Sequence, residues 1–395
     1  MTRLLMRAWL LSLCLAASPA WAQGPPLVVV AVIPQSGLLA DLGAEMRKAL
    51  LLWQEQRNAA GGLLGRSIQL KILDDRSEAS AAGRLYLQLI DAERADLLIG
   101  PLGSAASVGA AAAAERSRRV LINATGVTRG VQRAGTRYVF QVPAPLAEYG
   151  AGALAMAQAM GYRRLHVVAR NDPGSREAAA RLVEQAAALG LEPGALESVA
   201  AGSSDYALQI AKARARDAQA WIAFGQPEDA ADMIRAFKRI GYSPWLFLAQ
   251  GVAEPRFLQQ VGSDAEFALG ISAYDPRFAT RGNSAFVEAW RKRWSTEPGA
   301  HAAGAYCAAL VLEEGLRKAR SVDPERLREA LAALDTETPL GRYRVDGGGN
   351  QVAAKPAVVQ ILAGKREIVW PEALATAKWR LPYPRWDERP GHAAQ

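Results

Sequence analysis

Apolar segments of strand length alternate with longer segments of helical periodicity along most of the chain. The first six lie at residues 27–33, 39–60, 67–73, 78–93, 96–99 and 104–118. Two parallel strands need a long crossover between them, and a helix usually provides it. The alternation therefore predicts an α/β fold in which helices cover both faces of a parallel sheet.

The same pattern starts again after residue 142, and its landmarks repeat at a fixed distance. Ile99-Gly100 ends one predicted strand, and Phe224-Gly225 ends another 125 residues later. The next two strand ends, at Asn123 and Leu248, have the same spacing. A repeat of this kind indicates a structural duplication, so we expect two doubly wound parallel-sheet lobes.

The last third of the chain departs from the alternation. Three helical segments at residues 284–294, 300–319 and 324–334 follow one another. Apolar segments at 341–345 and 357–362 then flank a glycine-rich turn, which predicts a β-hairpin. A proline-rich tail at residues 373–395 is expected to pack loosely or to wrap around a lobe.

The first 22 residues have the features of a secretory signal peptide. Arg3 and Arg7 precede an apolar run at residues 8–17, and the small-residue pattern Ala20-Trp21-Ala22 follows. The apolar run is about half as long as a membrane-spanning helix. We therefore expect cleavage after Ala22, a periplasmic protein, and no direct insertion into the membrane.

Composition argues against nucleic-acid binding and against catalysis. The net charge is +8, but the basic residues are scattered and are not grouped with aromatic ones. His166, His301 and His392 have no metal-ligand spacing around them, and no nucleophile-elbow motif is present. Asp74-Asp75 is interpreted as a strand-end turn. We predict no enzyme activity, no metal and no cofactor.

The ends of the predicted strands are the best candidates for a binding site. In open parallel sheets, ligands bind beyond the carboxyl ends of the strands, near the N-termini of helices. Small residues dominate these positions at Pro34–Gly37, Gly100–Ser104 and Asn123–Gly126. Ser104 can both cap the following helix and donate its hydroxyl to an anionic or carbonyl oxygen, and capping alone is the more common role of such a serine.

Several of these motifs also carry a family resemblance. They are Val32-Ile33-Pro34-Gln35-Ser36-Gly37, Asn58-Ala59-Ala60-Gly61-Gly62, Leu73-Asp74-Asp75, Ile99-Gly100-Pro101, Tyr274-Asp275-Pro276 and Thr338-Pro339-Leu340-Gly341. In this order they resemble the periplasmic binding proteins for leucine, isoleucine and valine, which are the substrate-binding components of ABC transporters. The resemblance implies the type I periplasmic binding fold and covers nearly the whole exported chain.

The resemblance implies a three-strand hinge between the lobes and a ligand cleft between them. Lobe 1 would contain residues 24–142 and 274–345, and lobe 2 would contain residues 143–273 and 346–372. The protein would be a monomer that captures a small polar molecule and delivers it to the membrane permease of an ABC importer. The alternative is a ligand-sensing receptor of the same fold that signals to a regulatory partner.

The resemblance also places ten residues around the ligand, which are Ser36, Ser104, Ala105, Thr125, Gly126, Val127, Tyr149, Asp172, Gln226 and Gln250. Amino-acid receptors of the family usually hold the ligand ammonium with acidic side chains, whereas Leu146 and Gln250 stand at those positions here. A buried ammonium without a carboxylate is costly, so a carboxylate, an amide or a neutral polar ligand is favoured. Asp172 keeps an amino acid open as an alternative.

Overall fold

The structure, a computed structural model, describes residues 24–133 and 135–389, so the predicted signal peptide at residues 1–22 lies outside the described residues. The first sheet and its helices are formed by β1 (Leu27–Val32), α1 (Ala40–Ala59), β2 (Ile68–Leu73), α2 (Ala82–Glu93), β3 (Leu97–Ile99), α3 (Ser104–Ser117), β4 (Leu121–Asn123) and β5 (Val139–Gln141). All five strands are parallel, in the order β2-β1-β3-β4-β5.

The side chains of β1 explain why this strand is apolar along its whole length. Val29 and Ala31 belong to the hydrophobic core on one face of the sheet, and Val30 and Val32 belong to the core on the other face. A strand whose two faces are both covered by helices buries every side chain. The continuous apolar runs therefore correspond to the central strands of a two-faced sheet.

The second sheet repeats this arrangement. Its elements are α4 (Ala151–Ala159), β6 (Leu165–Arg170), α5 (Pro173–Ala188), β7 (Leu196–Val199), α6 (Ala207–Ala215), β8 (Ala220–Phe224), α7 (Pro227–Ile240), β9 (Leu246–Ala249), α8 (Pro255–Val261) and β10 (Leu269–Ser272). These strands follow the order β7-β6-β8-β9-β10, which is the order of the first sheet. The equal strand order supports the predicted duplication.

The remaining elements are α9 (Asn283–Trp294), α10 (Ala300–Ala319), α11 (Pro324–Ala332), β11 (Asp335–Thr338), β12 (Gly341–Arg344), β13 (Ala357–Leu362) and β14 (Lys365–Trp370). The three helices pack into the core of the first sheet. Strands β13 and β14 extend the second sheet beside β10 and are antiparallel to their neighbours. The predicted α/β fold with two doubly wound lobes is confirmed, with this antiparallel extension on the second lobe.

The β-hairpin predicted around residues 346–350 is wrong. Strand β12 pairs with β11, and β13 pairs with β10 and β14, so the two predicted partners lie in different sheets. In the part of the chain that the structure describes, one isolated antiparallel bridge, Val345 with Gln351, closes the turn. The apolar pattern identified both strands, but their partners depend on contacts between distant parts of the chain.

Three segments connect the second sheet to the elements that share the core of the first sheet, after β5, after β10 and between β12 and β13. The first and third segments are tied together by Gln351, whose side chain is 2 % exposed. Its Nε2 donates to the carbonyl oxygen of Val142 at 3.2 Å, and its Oε1 accepts from the N–H of Ala353 at 2.8 Å. The limits predicted for the lobes, at residues 142, 273 and 345, stay a prediction.

Gly349 brings the third connecting segment against β5, and we expect Gly349→Ala to destabilise the protein. Its φ is +76°, and an added Cβ would lie 2.0 Å from the carbonyl oxygen of Val139. The expected loss in the free energy of unfolding is about 1–2 kcal/mol, measured by urea denaturation. Gly347→Ala is the matched control, because a Cβ there meets no atom within 4 Å. Equal stability of the two variants would contradict this account.

The tail wraps around the second lobe, which is one of the two arrangements expected from its sequence. Gln360 of β13 donates to the carbonyl oxygen of Arg380 at 2.9 Å, and Tyr383 donates its N–H to the carbonyl oxygen of Trp245 at 2.7 Å. The guanidinium of Arg389 stacks on Trp386, 3.7 Å from the ring centroid. Residues 390–395 lie outside the described part of the chain. None of the described helices is both long enough and apolar enough to cross a bilayer.

Candidate functional site

Ser104 begins α3 at the carboxyl end of β3, where the sequence predicted the site. Gly103 is the N-cap of this helix and has a φ of +80°, which favours glycine. Ser104 is the first residue of the helix and not its N-cap, so the capping role considered for Ser104 is wrong. The N–H groups of Ser104, Ala105 and Ala106 have no acceptor among the described residues. Free N–H groups and the positive end of the helix dipole together suit an anionic oxygen.

The hydroxyl of Ser104 is held by the loop that follows β4. Its Oγ accepts hydrogen bonds from the N–H of Val127 at 3.0 Å and from the N–H of Thr128 at 3.3 Å. A serine hydroxyl has two acceptor lone pairs and one donor hydrogen. Since both lone pairs are engaged, the O–H of Ser104 remains as a donor beside the free N–H groups of α3.

Thr125, Gly126 and Val127 lie next to Ser104 and Gly103, and the Thr125 hydroxyl and the N–H groups of Gly126 and Val127 are hydrogen-bonded inside the first lobe. The Thr125 hydroxyl donates to the carbonyl oxygen of Pro101 at 2.8 Å and accepts from the N–H of Gly103 at 2.7 Å. The N–H of Gly126 donates to Asn123 at 2.8 Å. These three predicted residues lie beside Ser104, and Gly126 among them is buried.

Ser36 lies in an exposed loop after β1, and its hydroxyl donates to Asp74 Oδ2 at 2.7 Å. Asp74 Oδ1 also accepts from the N–H groups of Gln35 at 2.7 Å and Arg76 at 2.8 Å. Burial alone would raise the pKa of Asp74, but these hydrogen bonds hold it below its ordinary value. The pair Asp74-Asp75 is thus a strand-end turn, as interpreted from the sequence, and it uses the donor of Ser36.

Asp172, Gln226 and Gln250 lie at neighbouring strand ends of the second sheet, after β6, β8 and β9. Asp172 caps α5 by accepting from both the N–H and the hydroxyl of Ser175, at 2.9 and 2.8 Å. Gln226 is the N-cap of α7, and its N–H donates to Asp229 Oδ2 at 2.8 Å. The carboxylate of Asp172 is therefore engaged in the protein itself. Gln250 has no side-chain partner among the residues that the structure describes.

Tyr149 has an acidic neighbour that the sequence analysis missed. Burial, and then the charge of Glu254, raise the pKa of Tyr149 to about 12. Burial is also the main cause that raises the pKa of Glu45, with a smaller contribution from Glu254. Glu254 follows Gln250 on the same loop, so a search for any acidic residue after β9 would have found it. It stands four residues from the position where the family acid was expected.

The two lobes contact each other through the loop after β4. The N–H of Leu146, which belongs to the core of the second lobe, donates to the carbonyl oxygen of Val127 at 2.9 Å. The N–H of Arg129 donates to Glu177 Oε1 on α5 at 3.0 Å. Val127 also packs against the same apolar cluster as Tyr149. The loop that holds Ser104 is therefore in contact with the second lobe.

Two cavities lie beside the second connecting segment, and none of the ten predicted residues lines them. The smaller one, of about 680 Å³, is lined by Glu254, Asp275 and Arg366, among others. The larger one, of about 950 Å³, lies on the exposed face of α9. Within residues 24–133 and 135–389, no group of three histidine, cysteine or acidic residues is arranged to hold a metal ion.

Comparisons with known proteins show which family this chain belongs to and which solved structures it is similar to. The sequence model of a family described as periplasmic binding protein matches residues 26–366. A leucine-, isoleucine-, valine-, threonine- and alanine-binding protein of Pseudomonas aeruginosa is 24% identical over 80% of this chain and 85% of its own length. A crystal structure of a putative branched-chain amino acid ABC transporter protein from Silicibacter pomeroyi has a TM-score of 0.79 at 19% identity, over 90% of this chain and 99% of that one.

A solute-binding protein of an ABC transporter from R. palustris, solved in complex with benzoate, is also similar in structure. Its TM-score is 0.69 at 21% identity, and the alignment covers 91% of this chain and 97% of that one. Two α/β lobes with polar strand ends at their junction define a two-lobed binding protein. The chain belongs to the periplasmic binding protein family. The resemblance to the substrate-binding proteins of ABC transporters is confirmed, and so is the predicted function of binding a solute.

Proposed function

We propose that this protein is the periplasmic subunit that binds a small organic carboxylate and presents it to the permease of an ABC importer. It acts without chemical change of the ligand, as a monomer, after removal of residues 1–22. The observation that carries this proposal is the set of unpaired donors at Ser104 and in the first turn of α3. A carboxylate accepts such donors through both of its oxygens.

The second lobe would close over the ligand from the other side. Tyr149, Gln226 and Gln250 lie on this lobe, and the loop at Val127 already contacts it. A ligand shifts the equilibrium between the open and closed forms only as far as it binds the closed form more tightly than the open form. Contacts from both lobes would provide this difference in affinity. A change from about 1:99 to 99:1 needs roughly 5.5 kcal/mol. The permease would recognise the closed form of the protein.

The related proteins support a carboxylate as the common element of the ligand. The Pseudomonas aeruginosa relative is named for five amino acids, and the R. palustris protein was solved with benzoate. These ligands share a carboxylate and differ in whether they carry an ammonium group. The site at Ser104 suits the shared part, and the second lobe would decide the rest.

We expect isocaproate, which is leucine without its ammonium group, to bind at least about tenfold more tightly than leucine, because an unpaired buried ion costs several kcal/mol. The reason is the absence of an acid at Leu146 and Gln250 and the engagement of Asp172 with Ser175. Isothermal titration calorimetry measures both dissociation constants. Submicromolar binding of leucine or valine would contradict this expectation.

One observation favours an amino acid as the second candidate ligand. Glu254 lies within electrostatic reach of Tyr149 and forms no ion pair within the described residues. If its carboxylate holds a ligand ammonium, Glu254→Gln weakens leucine at least about tenfold and leaves isocaproate unchanged. If the ligand has no ammonium group, the variant binds both compounds as the wild-type protein does.

The proposed function is tested first by native mass spectrometry of gently purified protein. A co-purified carboxylate that also raises the thermal midpoint of the emptied protein supports the proposal. A panel of carboxylates, amides and amino acids provides the same test when the cleft is empty. A co-purified compound without a carboxylate, with no binding of any panel acid, would contradict it.

A further inference from the structure

Asn123, the last residue of β4, is fully buried, and its side-chain amide forms hydrogen bonds with both backbone polar groups of Gly126. Its Oδ1 accepts from the N–H of Gly126 at 2.8 Å, and its Nδ2 donates to the carbonyl oxygen of Gly126 at 2.9 Å. The N–H of Gly126 needs an acceptor and its carbonyl needs a donor, which fixes the orientation of the side-chain amide. Asn123 therefore clamps the start of the loop after β4.

The position of Gly126 is closely confined by its surroundings. An added Cβ there would lie 2.5 Å from Oγ of Ser107 and 2.9 Å from Oδ1 of Asn123. Ser107 Oγ is itself 3.2 Å from Asn123 Oδ1. The clamp thus has little freedom, because each of its three members is packed against the other two.

The two residues that follow Gly126 donate their N–H groups to the Ser104 hydroxyl. Asn123 contacts neither Ser104 nor the free N–H groups of α3 among the hydrogen bonds of the described residues. Because Gly126 directly precedes Val127, a displacement of Gly126 would also move the N–H groups of Val127 and Thr128. If these N–H groups were displaced, the lone pairs of Ser104 would be free to accept a hydrogen bond from a ligand.

We propose that Asn123 is a positioning residue that makes Ser104 a pure hydrogen-bond donor, and so makes the site select ligand oxygens that only accept. A carboxylate satisfies such a donor, whereas the NH₂ group of a primary amide gains nothing from it. This inference rests on the proposed function, because it concerns the discrimination between a carboxylate and the corresponding amide. The same loop contacts Leu146 of the second lobe, so its position also affects closure.

The experiment is a double-mutant cycle with Ser104→Ala, Asn123→Ala and the double variant. Dissociation constants are measured by titration calorimetry for isocaproate, benzoate and their primary amides. Asn123→Ala is expected to weaken the binding of the acids about tenfold and to reduce the preference for acid over amide about fivefold. The reason is that Asn123 and Ser104 act on the ligand through the same hydroxyl group. In the Ser104→Ala background, Asn123→Ala is expected to change neither value more than about twofold.

Gln360→Ala provides the matched control, because Gln360 is also a fully buried amide that bonds to backbone groups, but in the second lobe. It should lower the thermal midpoint without changing the preference for acid over amide. If Asn123→Ala does not fold, Asn123→Asp takes its place, since it keeps the acceptor for Gly126 and loses the donor. Hydrogen exchange at the amides of Val127 and Thr128 should be faster in either Asn123 variant.

The outcomes separate the two claims. Equal losses for Asn123→Ala in both Ser104 backgrounds, with an unchanged preference for acid over amide, would overturn the inference and leave the proposed function intact. Absence of carboxylate binding by the wild-type protein would overturn the proposed function and this inference with it. A non-additive cycle with a reduced preference for the acid supports both.

Discussion

Replacing Asp275 with alanine is expected to lower the free energy of unfolding by about 3 kcal/mol, the low end of the range for breaking a buried ion pair. Asp275 lies in the second connecting segment and is 1 % exposed. Its carboxylate accepts from Arg277 Nε at 2.9 Å and from Arg366 Nη2 at 3.3 Å. The low end applies because both arginines are partly exposed and gain hydration when the carboxylate is removed.

The loss should be large because Asp275 joins three parts of the chain. Arg366 belongs to β14 and also donates to the carbonyl oxygen of Ala253 at 2.6 Å, while Arg277 pairs with Glu367 at 3.0 Å. Urea denaturation measures the change. Asp335→Ala is the control, because Asp335 forms a similar two-bond pair with Arg342 on the surface and should change stability little. Similar losses in both variants would contradict the role of burial.

The contribution of Asp275 should depend on pH. Burial alone would raise its pKa, but the hydrogen bonds and charges of Arg277 and Arg366 hold the pKa below its ordinary value. A lowered pKa stabilises the folded protein above the pKa of the unfolded chain, and this stability is lost as the pH falls through the folded pKa. The difference between wild type and Asp275→Ala should be constant between about pH 5 and pH 7 and shrink below about pH 4.

The sequence predicted the fold well where a local pattern determines the structure. Strand β1 is apolar on both faces because two helical layers cover it, and this burial is visible in the sequence as an unbroken run. The repeat spacing predicted two equivalent sheets, and their strand order is the same. The partners of β12 and β13 could not be predicted, because residues 346–350 look like a hairpin turn whether or not the strands on either side pair.

The structure brings several of the predicted site residues together, and the site itself stays a prediction. Ser104 and the residues after β4 lie together, since the carboxyl ends of adjacent parallel strands meet at one edge of the sheet. The sequence does not reveal which polar groups the protein itself uses. Thr125 and Asp172 carry suitable groups for a ligand, but Pro101 and Ser175 engage them. The role of Asn123 depends on a contact with Gly126 that no spacing pattern indicates.

Ser104 therefore carries the largest expected effect on ligand binding. Ser104→Ala removes the donor and leaves the N–H groups of Val127 and Thr128 without their acceptor. A hydrogen bond to a charged group contributes about 1.5–3 kcal/mol, so the dissociation constant for isocaproate or benzoate should rise by about tenfold to a hundredfold. Ser104→Thr, which keeps a hydroxyl, should recover most of the affinity.

Ser284→Ala is the control for this prediction, because Ser284 is also a serine in the first turn of a helix after a glycine N-cap, but it is exposed on α9. It should bind the acids as the wild-type protein does. Titration calorimetry gives the affinities, and small-angle X-ray scattering with and without ligand shows whether the lobes still close. An unchanged affinity of Ser104→Ala would mean that the free N–H groups of α3 hold the carboxylate alone, and that the hydroxyl of Ser104 serves only to fix the loop at Val127.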